Sequence, residues 1–153
     1  MFLNRIPTRG NLLLRNALPP ETSTLCVMCS GIEESTLHLF LHCEVASLVW
    51  LKLMLWIDCF FLIPHNLFVH WECWSQGGSN KKVRKGLGLI CLTTVWVLWK
   101  AKNDKIFKVH IFEVDNLVEE VKVLSWKWLL SMTHTPPCLF FKWCWNPILC
   151  LAR

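Results

Sequence analysis

Apolar side chains return at helical intervals along three stretches of this chain. Leu37, Phe40, Leu41, Val45, Leu48, Val49, Leu53 and Trp56 recur at such intervals, marking one buried face of a helix that the pattern carries to about Asp58. Within residues 81–108, Leu87, Ile90, Cys91, Thr94, Val97, Leu98 and Ala101 form a second stripe, flanked by Trp96, Trp99 and lysines. A third helix is signalled by Asp115-Asn116, an N-cap pair with Glu119 three beyond Asn116, and runs through Leu117, Val118, Val121, Leu124, Trp128 and Leu129. Thr135-Pro136-Pro137 stops it. Near the start, Pro7 and Thr8 can open a short helix with Leu12, Leu13, Leu14 and Leu18 on its apolar side, until Pro19-Pro20 ends it.

The punctuation between these stretches sets the organisation. Phe60-Phe61-Leu62-Ile63-Pro64 closes the first long helix, and residues 65–80, with Gly77-Gly78-Ser79-Asn80, read as a mobile connection. The predicted layout is a first domain over 1–63, a linker over 64–80, a helical region over 81–135 and a tail over 136–153. That tail is rich in Phe and Trp, holds Pro147 and is assigned no regular structure. The fold class expected is mainly α, a few amphipathic helices with an irregular C-terminal tail.

Composition sharpens the question of what these faces meet. The 153 residues are 54% hydrophobic, with ten Trp, nine Phe and no Tyr, and the mean hydropathy is +0.38. Such an apolar excess implies faces that pack on another domain, or a membrane association. The stretch 87–99 is short of the ~20 residues needed to span a bilayer, and 45–63 carries Lys52 and Asp58, which are costly at membrane depth. Buried amphipathic helices are the better reading, with a small membrane-associated protein as the weaker alternative. The net charge of +5 is uneven: Lys81, Lys82, Arg84, Lys85, Lys100, Lys102, Lys105 and Lys108 face only Asp104 in their window. These eight are the electrostatic footprint expected if the chain touches RNA or DNA phosphate; a solvated helix face is the plain alternative.

The residues that carry chemistry lie ahead of the first long helix. Cys26-Val27-Met28-Cys29, His38 and Cys43 make the pattern C-x2-C-x8-H-x4-C, the number and type of ligands taken by a tetrahedral structural Zn²⁺. The x2 spacing lets both thiolates of a tight turn reach one ion, and Gly31 is expected to supply the bend. A small zinc knuckle would thus be stapled to the helix that follows. His42 is an alternative fourth ligand, because it lies four residues after His38 on the same face of a regular helix, whereas Cys43 is five on. Knuckle spacing favours Cys43. A redox dithiol would want a βαβ context that the pattern lacks. Nine cysteines, an odd number, with no apolar signal segment at the start, point to a reducing, intracellular compartment, where Cys59, Cys73, Cys91, Cys138, Cys144 and Cys150 are thiols and not bridges.

Taken together, Arg5-Ile6-Pro7-Thr8, Asn11-Leu12, Arg15, the Cys26/Cys29 pair, Glu34-Ser35-Thr36-Leu37-His38-Leu39-Phe40, Cys43, Ala46 and Val49-Trp50 resemble the zinc-binding domain that follows the reverse transcriptase in plant non-LTR (LINE-type) retrotransposons. Residues Trp96 to Phe107 look like the tryptophan and Arg-Asn motif found before the RNase H region of such polyproteins, with Lys102 where arginine is more usual. The resemblance implies Cys26, Cys29, His38 and Cys43 as ligands, packing roles for Phe40 and Trp50, and a truncated fragment, since the family's lead-in ahead of Arg5 is missing. It also implies RNA or DNA, or the polymerase and RNase H domains of a parent polyprotein, as partners.

Catalysis is not expected. A polymerase needs paired aspartates holding two Mg²⁺, and Asp58, Asp104 and Asp115 are scattered. The carboxylates after Trp50 offer no RNase H cluster, Gly86-Leu87-Gly88 is no phosphate loop, and His65, His70, His110 and His134 are isolated. The function expected is a structural zinc module that assists nucleic-acid binding, with no small-molecule substrate; the alternative is a non-catalytic remnant or protein-interaction module.

Overall fold

The computed structural model describes residues 6–108, 111–132 and 138–153. Its helices are α1 (Arg9–Leu14), α2 (Glu44–Ile57), α3 (Leu67–Gln76), α4 (Lys81–Phe107), α5 (Val114–Met132), α6 (Phe140–Trp145) and α7 (Pro147–Leu151), with a π turn at His38–His42. Among the described residues there is no strand, only an isolated antiparallel bridge between Leu25 and Glu33.

The long helix α4 is the centre of the body. Its predicted stripe is buried throughout, from Leu87 to Ala101, and packs between α3 and α5, while α5 also covers α2. Thr93 and Thr94 sit in this apolar seam because their hydroxyls donate back to the carbonyls of Leu89 and Ile90, both at 2.8 Å, so that neither hydroxyl is unpaired. Three fully buried tryptophans, Trp50, Trp74 and Trp143, bring α2, α3 and α6 into one core.

Four expectations about the helices are corrected. The stretch 65–80 is not a loose connection: Asn66 accepts from the N–H groups of Phe68 and Val69 and starts α3, which buries His70 and Trp74. The third long helix opens at Val114, one residue before Asp115, whose carboxylate lies in the first turn and pairs with Lys52 at 2.6 Å. The early helix stops at Leu14, and Asn16 takes a left-handed φ of 54°, so Leu18 is not on it. The tail is regular: α6 and α7 form there, and Asn146 caps α7 by accepting from Leu149.

That tail is pinned by indoles. Trp56 donates to the Cys144 carbonyl (2.8 Å), Trp126 to that of Cys138 (2.7 Å) and Trp143 to that of Lys122 (3.0 Å). Leu151 settles over Gly86 of α4, where any Cβ would collide with it. Cys138 and Cys150, expected as thiols, are joined by a disulfide; the tail's own fold places them side by side, which spacing cannot show. Cys59, Cys73, Cys91 and Cys144 are free, as expected. Thr135-Pro136-Pro137, His110, His134 and Arg5 lie outside the described residues. No helix among the described residues is long and apolar enough to cross a membrane.

Candidate metal centre

Two short pieces of backbone aim four ligand atoms at one point. The first is a hairpin tip. Cys26 N–H donates to the Ile32 carbonyl (2.7 Å) and Glu34 N–H to that of Thr24 (2.8 Å), closing the arms around the bridge between Leu25 and Glu33. Ser30 N–H then returns to the Cys26 carbonyl at 2.8 Å, wrapping the 26–29 turn. The left-handed residue in this tip is Ser30, at φ 57°, and not Gly31, which has no positive φ.

The second piece is the π turn. Ser35 opens it, its hydroxyl accepting from His38 N–H at 3.0 Å, and Cys43 N–H closes it on the His38 carbonyl at 2.6 Å, five residues back. In a regular α-helix, positions five apart point ~140° away from each other. The wider π turn narrows that difference and brings His38 and Cys43 to the same cluster. Cys43 then turns extended (ψ 139°) and caps α2, so the predicted single helix from the ligand pair to Asp58 is interrupted there.

Cys26, Cys29, His38 and Cys43 consequently hold their ligand atoms within 4.8 Å of one another. The Cys26 and Cys43 sulfurs are 3.9 Å apart, and Cys29 Sγ is 3.3 Å from His38 Nε2. A tetrahedral zinc with bonds of about 2.3 Å to sulfur and about 2.0 Å to nitrogen has edges of about 3.8 and 3.5 Å, so this donor set and spacing fit that ion. With four protein donors such a site is closed, hence structural. Cys26, His38 and Cys43 are buried and Cys29 half-buried.

The sulfur pair is already polarised. The hydrogen bond with Cys43 draws the Cys26 thiol down to about 5 against the effect of burial, helped by backbone N–H groups of Cys29 and Met28 and by His38. Cys43 moves up, chiefly through that same hydrogen bond and then through burial, although the N–H groups of Val45 and Ala46 at the start of α2 pull the other way.

His42 is turned away from this cluster. Its ring stacks on His65 with centroids 4.6 Å apart, and its buried Nε2 has no hydrogen-bond partner. Burial is the first reason its basicity is lowered, with His65 and His38 adding to it.

The eight basic residues do not form one surface. Lys102 is 2% exposed and lies 2.7 Å from Glu34 Oε1, a correction to its place in a phosphate footprint, since a buried ammonium already paired cannot reach solvent. Lys100 pairs with Glu120 (2.6 Å), Lys108 with Asp104 (2.7 Å), and Lys105 donates to the Met28 carbonyl (3.1 Å). Lys82 donates to the Arg153 carbonyl and Arg84 to that of Gly78. Lys81, Lys82, Arg84 and Lys85 stand exposed at the start of α4. Glu34 joins the site through these contacts, and its only signal in the sequence is a carboxylate placed between the two ligand pairs of a knuckle.

Residues 1–50 match the family described as zinc-binding in reverse transcriptase, a binding-domain family and not a polymerase or RNase H one. No curated protein and no solved structure matches the chain. The match and the Cys₃His cluster fall on the same stretch, so this part of the chain is similar to the zinc-binding domain of reverse transcriptases.

Proposed function

We propose that Cys26, Cys29, His38 and Cys43 bind one structural Zn²⁺ and that the folded chain is a non-catalytic module assisting a reverse transcriptase polyprotein of the LINE type in holding RNA or DNA. The observation that carries the metal part is the convergence of three sulfurs and one imidazole nitrogen within 4.8 Å. The nucleic-acid part is supported by Lys81, Lys82, Arg84 and Lys85, exposed at the N-terminal end of α4, on the same helix as exposed Leu92 and Trp96. Metal content by mass spectrometry tests the first part. The expected result is one zinc per chain, lost in Cys43→Ser and kept in His42→Ala. Retention on immobilised single-stranded RNA and DNA tests the second: binding should fall steeply as salt rises, and absence of retention at low salt removes this part.

A second reading has its own observation. Phe68, Trp71, Leu92 and Trp96 are exposed on α3 and α4, and Trp71 lies against the α4 backbone at Gly88, so the two helices share an apolar surface. This favours a protein-interaction module that packs on a neighbouring polymerase or RNase H domain. Zinc-loaded protein that ignores nucleic acid yet binds such a domain would select it.

A further inference from the structure

The hairpin tip that carries two of the four ligands is held from a helix far outside the family segment. Glu34, with no side-chain exposure, accepts from Arg9 N–H through Oε1 at 2.8 Å and from Val27 N–H through Oε2 at 3.4 Å. Its counter-charge is Lys102 of α4, which also donates to the Pro7 carbonyl at 2.8 Å. Three residues on, Lys105 donates to the Met28 carbonyl. Val27 and Met28 are the two residues between Cys26 and Cys29. One is therefore gripped through Glu34, the other directly by Lys105.

A buried ion pair seldom repays its own desolvation, so its presence asks for a further role. Removing the Lys102 charge leaves the Glu34 carboxylate buried without its counter-charge. The carboxylate is then drawn toward water, which weakens its hold on the Val27 and Arg9 N–H groups. Groups that orient a metal's ligands in this way set affinity without touching the ion.

We propose that Glu34, Lys102 and Lys105 are positioning residues of the metal centre, holding the 26–29 turn in its ligating shape so that zinc affinity and docking of the C-terminal half of α4 on the knuckle are coupled. The inference rests on zinc binding at Cys26, Cys29, His38 and Cys43. Coupling is reciprocal, so zinc must also tighten the contact between α4 and the knuckle.

The test is zinc affinity of the full chain, measured by competition with a chromophoric chelator, with Co²⁺ absorption as a second readout of thiolate geometry. Lys102→Met should weaken zinc by about 10- to 100-fold, the usual loss when a ligand's supporting partner is removed. Lys105→Met should lose less, and Lys105→Arg, which keeps a donor for the Met28 carbonyl, should recover it. Lys100→Met, which breaks a pair on the same helix away from the knuckle, should change nothing. Combining Glu34→Gln with Lys102→Met should lose less than the two single losses multiplied, because one network is broken once.

A purely structural role predicts lower thermal stability of the metal-free chain with unchanged zinc affinity in both Lys102→Met and Lys105→Met, and that result overturns the proposal. Should Lys102→Met fail to fold, Lys105→Met decides alone, since its partly exposed side chain can be replaced with little disturbance: affinity equal to the unmodified chain overturns the proposal. Absence of zinc from the unmodified chain overturns instead the metal reading on which it rests.

Discussion

The knuckle and the helical body are held together in opposite ways. In the knuckle, α1 buries no residue at all, and the buried groups are mostly polar or sulfur-bearing, Thr8, Cys26, Met28, Glu34, His38 and Cys43, with Leu39, Phe40 and Leu41 of the π turn as its apolar link to the body. In the body, Trp50, Leu53, Trp74, Ile90, Val97, Leu98, Val121 and Trp143 are almost completely buried in one continuous apolar cluster. Many weak apolar contacts, each worth up to a few kcal/mol, order the body without any one being decisive. The knuckle depends on a handful of strong, directional contacts, so losing a single one of them is felt throughout.

Metal removal is the largest perturbation that separates the two. Small structural zinc sites carry apparent binding energies of ~10–16 kcal/mol that serve as folding energy. Chelation should therefore abolish amide-exchange protection at Cys26, Ser30 and Glu34 while leaving far-ultraviolet helix content in α2–α5 largely intact. Collapse of the helical signal together with the knuckle would break the comparison, and would show that the body, too, depends on the ion.

Trp50 is where the two regions are joined. Its indole N–H donates to the Phe40 carbonyl at 2.6 Å while its ring packs edge-on against His70 and near Trp74. Trp50→Ala should lower stability by about 3–5 kcal/mol, the range for removing a buried tryptophan. Denaturant melts followed by helix content would register it as one cooperative loss. A change below about 1 kcal/mol would mean that the apolar cluster is not what holds the body.

His70 gives the smallest effect and sharpens the contrast, since it is a polar group placed in the apolar region. It is fully buried, its Nε2 accepts from Trp74 at 3.1 Å, and its Nδ1 has no hydrogen-bond partner. Burial first, then the nearby His42, brings its pKa down to about 4 from the ordinary 6.5. Between these values the unfolded chain binds a proton that the folded one refuses, so the folded state loses stability as pH falls from 6.5 toward 4 and keeps it above 6.5. The loss is at most about 3 kcal/mol. Stability measured at saturating zinc across that window should fall less steeply in His70→Phe than in the unmodified chain; identical slopes would show that His70 titrates normally.

What the chain announced by itself was local. The stripe from Leu87 to Ala101 and the run from Val45 to Trp56 fix two helices, since helical periodicity is written within a few neighbouring positions. The C-x2-C spacing with a following histidine and cysteine named the metal's donor types for the same reason. The helix α3 has a local signal in its Asn66 cap, but the two glycines and the proline around it carry the pattern of a linker. Tertiary structure alone decided the rest. Whether His42 or Cys43 faces the cluster turned on a π turn that no residue pattern specifies. Cys138 met Cys150 only because α6 and α7 fold against each other. Lys102, outwardly one more base in a charged run, became the buried partner of Glu34, 68 positions earlier in the sequence. Pairings of that kind depend on how finished helices pack, and packing is a property of the whole chain that no short window of sequence contains.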